Sequence, residues 1–244
     1  VAVVTGLLTG IVEAGEEEVL RHLSALNPDY DTDYLAKWNN VMTKSRAHAL
    51  NAELPWSQAC IVRAFEQRID KEGTERTVCY ANSSAVRLAN LFSTHYCQCN
   101  RGVNGIEGSL STAAGISLVS KDGKTYCVIG DLSFFYDQNA LWIQGLGSNL
   151  RILLLNNGGG GICTRFDGLR NSQARESLIM AQHCTSAQGI CQSYGIGYKK
   201  VSEAGQLAEG LDFLCNAESE RPLLLEVFTD MENDQKALDI LNKL

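Results

Sequence analysis

The sequence predicts an α/β domain: a parallel sheet of about six strands with helices on both faces, preceded by a short helical segment. Three observations carry this. From about residue 53 onward, apolar runs of strand length alternate with helix-length amphipathic segments, the pattern of a parallel sheet covered on both sides. Two of the runs end in Gly-Asp and in Asn-Asn-Gly, turn chemistry placed at strand ends. The 244 residues hold no internal repeat, low-complexity tract or long linker, so they suit one well-buried domain with an appendage.

The elements follow in order. Glu13 to Leu26 reads as a helix with Val19, Leu20, Leu23 and Leu26 on one face, and Asn27-Pro28-Asp29 breaks it. Leu35, Trp38, Met42 and Ala49 mark a second helix beyond an acidic turn at Asp29 to Asp33. Residues 1–52 are therefore expected to be the helical tail of a preceding domain, and residues 53–244 the α/β domain. Ser57 caps a helix that turns Ile61, Val62, Phe65 and Ile69 inward. Strands are expected at Thr77–Ala81, Tyr96–Cys99, Tyr126–Ile129, Leu150–Leu155, Gly197–Val201 and Leu223–Phe228. Helices are expected near 84–93, 107–120, 134–146, 172–194 (broken), 203–216 and 233–243.

Composition narrows the class. With 45% hydrophobic and 20% charged residues the chain reads as an ordinary globular protein. A net charge of −7 argues against general nucleic-acid binding, which needs clustered Lys and Arg. The longest apolar runs, such as Ile152 to Leu155, fall far short of the roughly 20 residues that span a bilayer. The start, Val1-Ala2-Val3, has neither a basic signal region nor Met, so a fragment of a cytoplasmic protein is expected. The nine cysteines are odd in number, and Cys79 and Cys127 sit in apolar surroundings, the pattern of buried reduced thiols. His95-Tyr-Cys97-Gln-Cys99 and His183-Cys184 raise a soft-metal site, but Cys97 and Cys99 are too close for the common zinc spacing.

The most informative stretch is Tyr126-Cys-Val-Ile-Gly130-Asp131-Leu-Ser133, a strand ending in Gly-Asp. One crossover later, Leu150 to Leu155 ends in Asn156-Asn157-Gly158-Gly159-Gly160-Gly161. A right-handed crossover makes the two strands parallel, so both C-terminal ends reach the sheet edge where open α/β sheets bind ligands. A carboxylate and a carboxamide then meet there, an oxygen pair suited to magnesium, and a carbonyl of the Gly158–Gly159 turn can add a third ligand. The glycines let the backbone approach closely, and N–H groups near Ser133 can receive phosphate oxygens.

This is the Gly-Asp-x … Asn-Asn pattern that thiamin-diphosphate enzymes carry, with Leu132 where Gly is usual. Further segments resemble one family among them: Asn82-Ser83-Ser84-Ala85-Val86-Arg87, Asn100-Arg101-Gly102-Val103-Asn104-Gly105-Ile106-Glu107-Gly108, Gly130 to Asp137 and Asn156 to Ile162. They are similar to the C-terminal domain of the MenD family, the menaquinone-pathway synthases of succinyl-enolpyruvyl-hydroxycyclohexene-carboxylate. Leu132 is itself normal for that family. The resemblance covers residues 53–244, with residues 1–52 like the end of its middle domain.

The resemblance implies the diphosphate module of the thiamin-diphosphate-binding fold. It implies thiamin diphosphate with Mg²⁺ (or Mn²⁺) as cofactors, held by Asp131, Asn157 and the Gly159 carbonyl. Gly130, Leu132, Ser133 and Gly160 flank these ligands as cofactor-binding positions. Ile106 matches the residue that props the bent cofactor. Ser83 matches a residue at the diphosphate and substrate side, and Ile162 one near the thiazolium. Arg87 and Arg101 match arginines facing the acidic substrates 2-oxoglutarate and isochorismate, which the full-length enzyme, a homodimer or homotetramer with shared active sites, would join with loss of carbon dioxide. Cys163 stands where family members commonly have Phe, which alters the expected second-substrate pocket. The activating Glu is expected on a pyrimidine domain absent from these residues; Glu53 and Glu107 match no such motif, so the chain alone is expected to be inactive. Two other readings stay open: an acetolactate-synthase-like decarboxylase, and a non-catalytic module using the same fold.

Overall fold

The six apolar runs form the strands β1 (Arg76–Tyr80), β2 (Cys97–Gln98), β3 (Lys124–Gly130), β4 (Leu150–Asn156), β5 (Gly197–Val201) and β6 (Leu223–Phe228). In this computed structural model the described residues are 13–26, 32–73, 75–102, 105–120, 123–162 and 167–243, with backbone alone for Thr32, Asp167 and Arg170. All six strands pair in parallel, in the order β2-β1-β3-β4-β6-β5. One register line runs Gln98, Cys79, Cys127, Ile152, Leu224, Tyr198 across the sheet. Every residue of β4 is buried, as a central strand covered on both faces must be.

The chain divides into two units, residues 1–43 and 44–244. The first holds α1 (Glu16–Ala25) and the start of α2 (Thr32–Asn51). Glu16, Glu17 and Glu18 open α1, where the helix dipole favours negative charge. The apolar residues that predict these helices, Leu20, Leu23, Leu35, Trp38 and Met42, are exposed. The expected break at Asn27-Pro28-Asp29 lies outside the described residues.

The second unit is the sheet and its helices: α3 (Gln58–Ile69), α4 (Ser84–Phe92), α5 (Ser109–Val119), α6 (Asp131–Asp137), α7 (Asp167–Arg170), α8 (Gln188–Tyr194), α9 (Ala204–Asn216) and α10 (Met231–Leu241). Ser57 caps α3 as the sequence predicts, its Oγ accepting from Cys60 N–H at 3.4 Å. Ile61, Val62, Phe65 and Ile69 are fully buried beneath it. Right-handed crossovers that run left across a sheet lie on one face, and those that run right lie on the other. Accordingly α4 and α9 share a face with α3 and α10, while α5, α6 and α8 cover the opposite one.

One helix differs most from expectation, and the segment expected to be broken is broken. The one expected over 134–146 starts earlier, at Asp131, whose own carboxylate accepts from Leu132 N–H at 2.7 Å; it then tightens to a 3-10 turn over Gln138–Trp142. The broken 172–194 segment is a π turn at Arg175–Ile179 followed by α8. The eight described cysteines are free, and Cys79, Cys127, Cys191 and Cys215 are buried. Burial pushes the Cys79 thiol up to about 12, the state of an inert thiol. His95 pairs through Nε2 with Glu66 at 2.9 Å, and its Nδ1 stands 3.8 Å from the Cys97 thiol. Among the described residues no helix is long and apolar enough to cross a membrane.

Candidate functional site

From β1 the chain first moves outward to β2, then returns past β1 to β3. The helices α4 and α5 therefore leave on opposite faces, and a crevice opens at the C-terminal ends of β1 and β3. Open α/β sheets bind ligands at such switch points. Three loops converge there: Ala81–Ser83 after β1, Gly130–Asp131 after β3 and Asn156–Gly161 after β4.

Asp131 is 3% exposed. Its Oδ1 accepts from Leu132 N–H, and its Oδ2 accepts from Gly158 N–H at 2.8 Å and Gly159 N–H at 3.0 Å. His183 Nε2 stands 3.3 Å from the same oxygen. Burial pushes the carboxyl above the usual range, opposed by the Leu132 amide, His183 and the two glycine amides. One carboxylate thus ties the ends of β3 and β4 together.

The glycine loop is shaped by backbone freedom. Gly159 has φ +151°, and a Cβ there would fall 2.7 Å from the Met180 carbonyl oxygen, a position open only to glycine. Its neighbours lock the loop onto the 180–183 segment, with Gly160 N–H donating to Met180 O at 2.7 Å and His183 N–H to Gly158 O at 2.9 Å. A Cβ on Gly160 would lie 3.6 Å from Leu132 Cδ1, so the Leu132 side chain rests against this loop.

The two asparagines are held by two carboxylates. Asn156 Nδ2 donates to Glu226 at 2.8 Å and to Thr185 O at 2.9 Å, while its Oδ1 accepts from Gly158 N–H. Asn157 Nδ2 donates to Asp234 at 2.7 Å, and among the described residues nothing donates to its Oδ1. Burial first raises the Asp234 carboxyl to about 6, against bonds from Gln58, Asn157 and Thr229.

A cleft of about 250 Å³ is lined by Ser83, Ile106, Gly130, Asp131, Leu132, Ser133, Asn157, Gly159, Gly160 and Ile162. These are ten of the twelve positions singled out from the sequence. Arg87 lines an adjoining cleft of about 210 Å³ with Gln58, Leu88, Leu91, Met231 and Leu238, and Asn157 and Ile162 wall both. Arg87 is exposed and makes no ion pair among the described residues. Arg101 lines neither cleft: it is exposed, and its Nη1 donates to Asn82 Oδ1 at 2.8 Å. Cys163, Val103 and Asn104 lie outside the described residues. Ser83 holds φ +71°, a strained backbone of the kind that collects at functional sites.

The donors around the first cleft are all oxygens: a carboxylate, an unengaged carboxamide oxygen and glycine carbonyls. That set fits a hard cation rather than a soft one.

Residues 80–227 match the family described as thiamine pyrophosphate enzyme, C-terminal TPP binding domain. The chain belongs to this family. The match runs from the end of β1 into β6, so it contains all three loops of the cleft. Over 237 residues, 96% of the chain, it is 40% identical to a 2-succinyl-5-enolpyruvyl-6-hydroxy-3-cyclohexene-1-carboxylate synthase of Bacteroides fragilis. Synthases of the same name from Phocaeicola vulgatus and Flavobacterium psychrophilum are 39% and 35% identical over 96% and 93% of the chain. The chain spans about two fifths (41%) of the length of these curated relatives.

Three residues beside the cleft carry no sequence signal, Gln58, Glu226 and Asp234, and a fourth, His183, carries a different one. Each reaches the site by folding from a distant element. His183 stands in the sequence beside Cys184 as a metal-like pair, yet it faces Asp131 while Cys184 is exposed.

Proposed function

We propose that this chain is the diphosphate- and magnesium-binding part of a synthase that decarboxylates 2-oxoglutarate and adds the resulting carbanion to isochorismate in menaquinone biosynthesis. The observation that carries the reading is the meeting of Asp131 and Asn157 at adjacent parallel strand ends, with the Asn157 oxygen unengaged. Asp131, Asn157 and the Gly159 carbonyl would hold Mg²⁺ or Mn²⁺, and amides near Ser133 and in the glycine loop would receive diphosphate oxygens. Thiamin diphosphate, when bound, supplies the electron sink for the charge left by decarboxylation. Ile106 and Ile162 would shape the apolar wall of that cleft, and Ser83 its diphosphate and substrate side.

Arg87 would receive a substrate carboxylate in the adjoining cleft, where a planar guanidinium matches it bidentately. Arg101, fixed on Asn82, is the second cation of the reading. Among the described residues, the acids lining the two clefts are Asp131 and Asp234, both engaged by their own chain. The activating glutamate is therefore assigned to a pyrimidine domain outside this chain, in a homodimer or homotetramer with shared sites, and the chain alone is inactive. Residues 53–244 form the diphosphate module in this reading, and residues 1–52 the tail of a middle domain. A cytoplasmic location belongs to it too, in keeping with the eight free thiols.

Mn²⁺ titration followed by electron paramagnetic resonance tests the site in the full-length protein. Thiamin diphosphate should tighten Mn²⁺ binding, and Asp131→Ala should abolish it. Turnover should require 2-oxoglutarate and isochorismate. Preference for pyruvate, or Mn²⁺ binding untouched by Asp131→Ala, would overturn the reading.

A further inference from the structure

Asp234 stands on α10, far along the chain from the metal motif, and lines the cleft that holds Arg87. Its Oδ1 accepts the Gln58 N–H that opens α3 at 2.7 Å. Its Oδ2 accepts from Asn157 Nδ2 at 2.7 Å and from Thr229 Oγ1 at 3.2 Å. We propose that Asp234 is a positioning residue that decides which end of the Asn157 carboxamide faces the metal. The inference rests on the cation site proposed above.

The chemistry is one of donors and acceptors. A carboxamide has an accepting oxygen and a donating nitrogen on the same carbon, nearly equal in size. Either could face the cleft by rotation about one bond. Only the oxygen can ligate a cation; the nitrogen would set its N–H dipoles against it. An ionised carboxylate accepts and never donates, so Asp234 admits only the nitrogen on its side. The oxygen is thereby turned to the cleft, where nothing described engages it. Thr229 and Gln58 fix Asp234 in turn, since a backbone N–H and a hydroxyl at the end of β6 hold its two oxygens. The residue acts as outer-shell partners of metal ligands do, by orientation, and such partners are typically worth about 10–100-fold in metal affinity.

The arrangement makes a reciprocal prediction. In Asp234→Asn the amide oxygen stays on Gln58 N–H, which has no other acceptor in reach. The new NH₂ then faces Asn157, two nitrogens oppose each other, and Asn157 turns its own NH₂ to the cleft. Adding Asn157→Asp restores the pattern with the partners exchanged. The new NH₂ donates to the residue-157 carboxylate, whose second oxygen faces the metal. Thr229 Oγ1 can accept instead of donate, so no buried donor is stranded.

The test uses Mn²⁺ as probe in the full-length protein with thiamin diphosphate, read by electron paramagnetic resonance, with thermal melting as the control for folding. Asp234→Asn should weaken Mn²⁺ binding about 10–100-fold. The double variant Asp234→Asn/Asn157→Asp should recover to within a few-fold of the unaltered protein. Mn²⁺ binding by Asp234→Asn within two-fold of the unaltered protein would overturn the inference and leave the cation site standing. A weak double variant would also overturn it, because loss without rescue means that Asp234 merely holds α3 and α10. If the unaltered protein shows no Asp131-dependent Mn²⁺ binding, the site itself fails and this inference with it.

Discussion

Glu226 is a fully buried carboxyl group in the sheet, and truncating it tests how the glycine loop is supported. It is 0% exposed, at the centre of β6. Its Oε1 accepts from Asn156 Nδ2 at 2.8 Å and Ala187 N–H at 3.2 Å, and its Oε2 accepts from Ser186 Oγ and Tyr198 Oη, each at 2.7 Å. Burial pushes the Tyr198 hydroxyl up, so it remains a donor. No cation pairs with Glu226 among the described residues; its partners are hydrogen-bond donors from Asn156, Ala187, Ser186 and Tyr198. Glu226→Ala strands several of these donors at once. Each buried donor left unsatisfied costs about 1–3 kcal/mol, so a loss of about 3–5 kcal/mol is expected for the set. In a unit of this size each kcal/mol lowers the melting point by about 2–4 °C, so a fall of about 6–20 °C is expected. Glu226→Gln differs in kind. Its oxygen can keep Asn156 and Ala187, while its NH₂ meets two hydroxyls that can rotate to accept, for a loss of about 1–2 kcal/mol. Calorimetric melting and urea titration of both variants give the comparison. Equal melting points for Glu226→Ala and Glu226→Gln would refute the reasoning, because the network would then carry none of the stability assigned to it.

Other consequences are as direct. Gly159→Ala places a Cβ 2.7 Å from the Met180 carbonyl and 3.0 Å from Met231 Cε at φ +151°, so a loss of about 2–3 kcal/mol in urea unfolding is expected. Gly189→Ala in α8 meets nothing within 4 Å and should gain about 0.5–1 kcal/mol in the same assay. Ser83→Gly removes strain at φ +71° and should stabilise by about 1 kcal/mol while loosening the cleft. Asp234 keeps its proton to about 6 when folded and to about 3.9 when unfolded. The folded state thus binds more protons between these values, and this group's contribution to stability falls as pH rises through that window. Between pH 4.5 and 7 metal-free Asp234→Asn should gain about 2 kcal/mol on the unaltered protein; parallel pH profiles would contradict this.

The strands were legible because each is an apolar run bounded by turn residues: Gly197–Val201 and Leu223–Phe228 match the structure residue for residue. Their order was not legible. Whether β6 inserts between β4 and β5 depends on pairing between segments far apart in the chain, and no local pattern encodes it. The helix after β3 was misplaced because its start depends on Asp131 folding its own carboxylate onto Leu132 N–H. That residue reads equally well as a loop ligand. The cleft was largely legible for a related reason: many of its lining positions follow strand ends, and strand ends are visible in sequence. Arg87 reached a cleft wall, whereas Arg101 turned to Asn82, a choice made by a side-chain partner 19 residues away. Asp234 and Glu226 gave no signal, since an aspartate in a polar helix and a glutamate in an apolar strand acquire their roles only through packing.

The asparagine pair shows why those two acids matter together. Glu226 grips Asn156 from the face where the 185–187 segment starts α8, and Asp234 grips Asn157 from the face where α3 begins. The end of β4 is thus clamped from both layers, and the loop that follows has little freedom left. This strand end is costly, because burial raises both Asp234 of the clamp and Asp131 beside it; each carboxylate is held where water cannot fully solvate it. A sheet end selected for stability alone would carry neutral or apolar groups there, as replacements of buried charge often show. A cation bound by Asp131 and Asn157 would lower the same electrostatic cost. The features that weaken the metal-free fold are therefore the ones that would draw a divalent ion to it, and the rigidity of the clamp would keep its ligands aimed at one point.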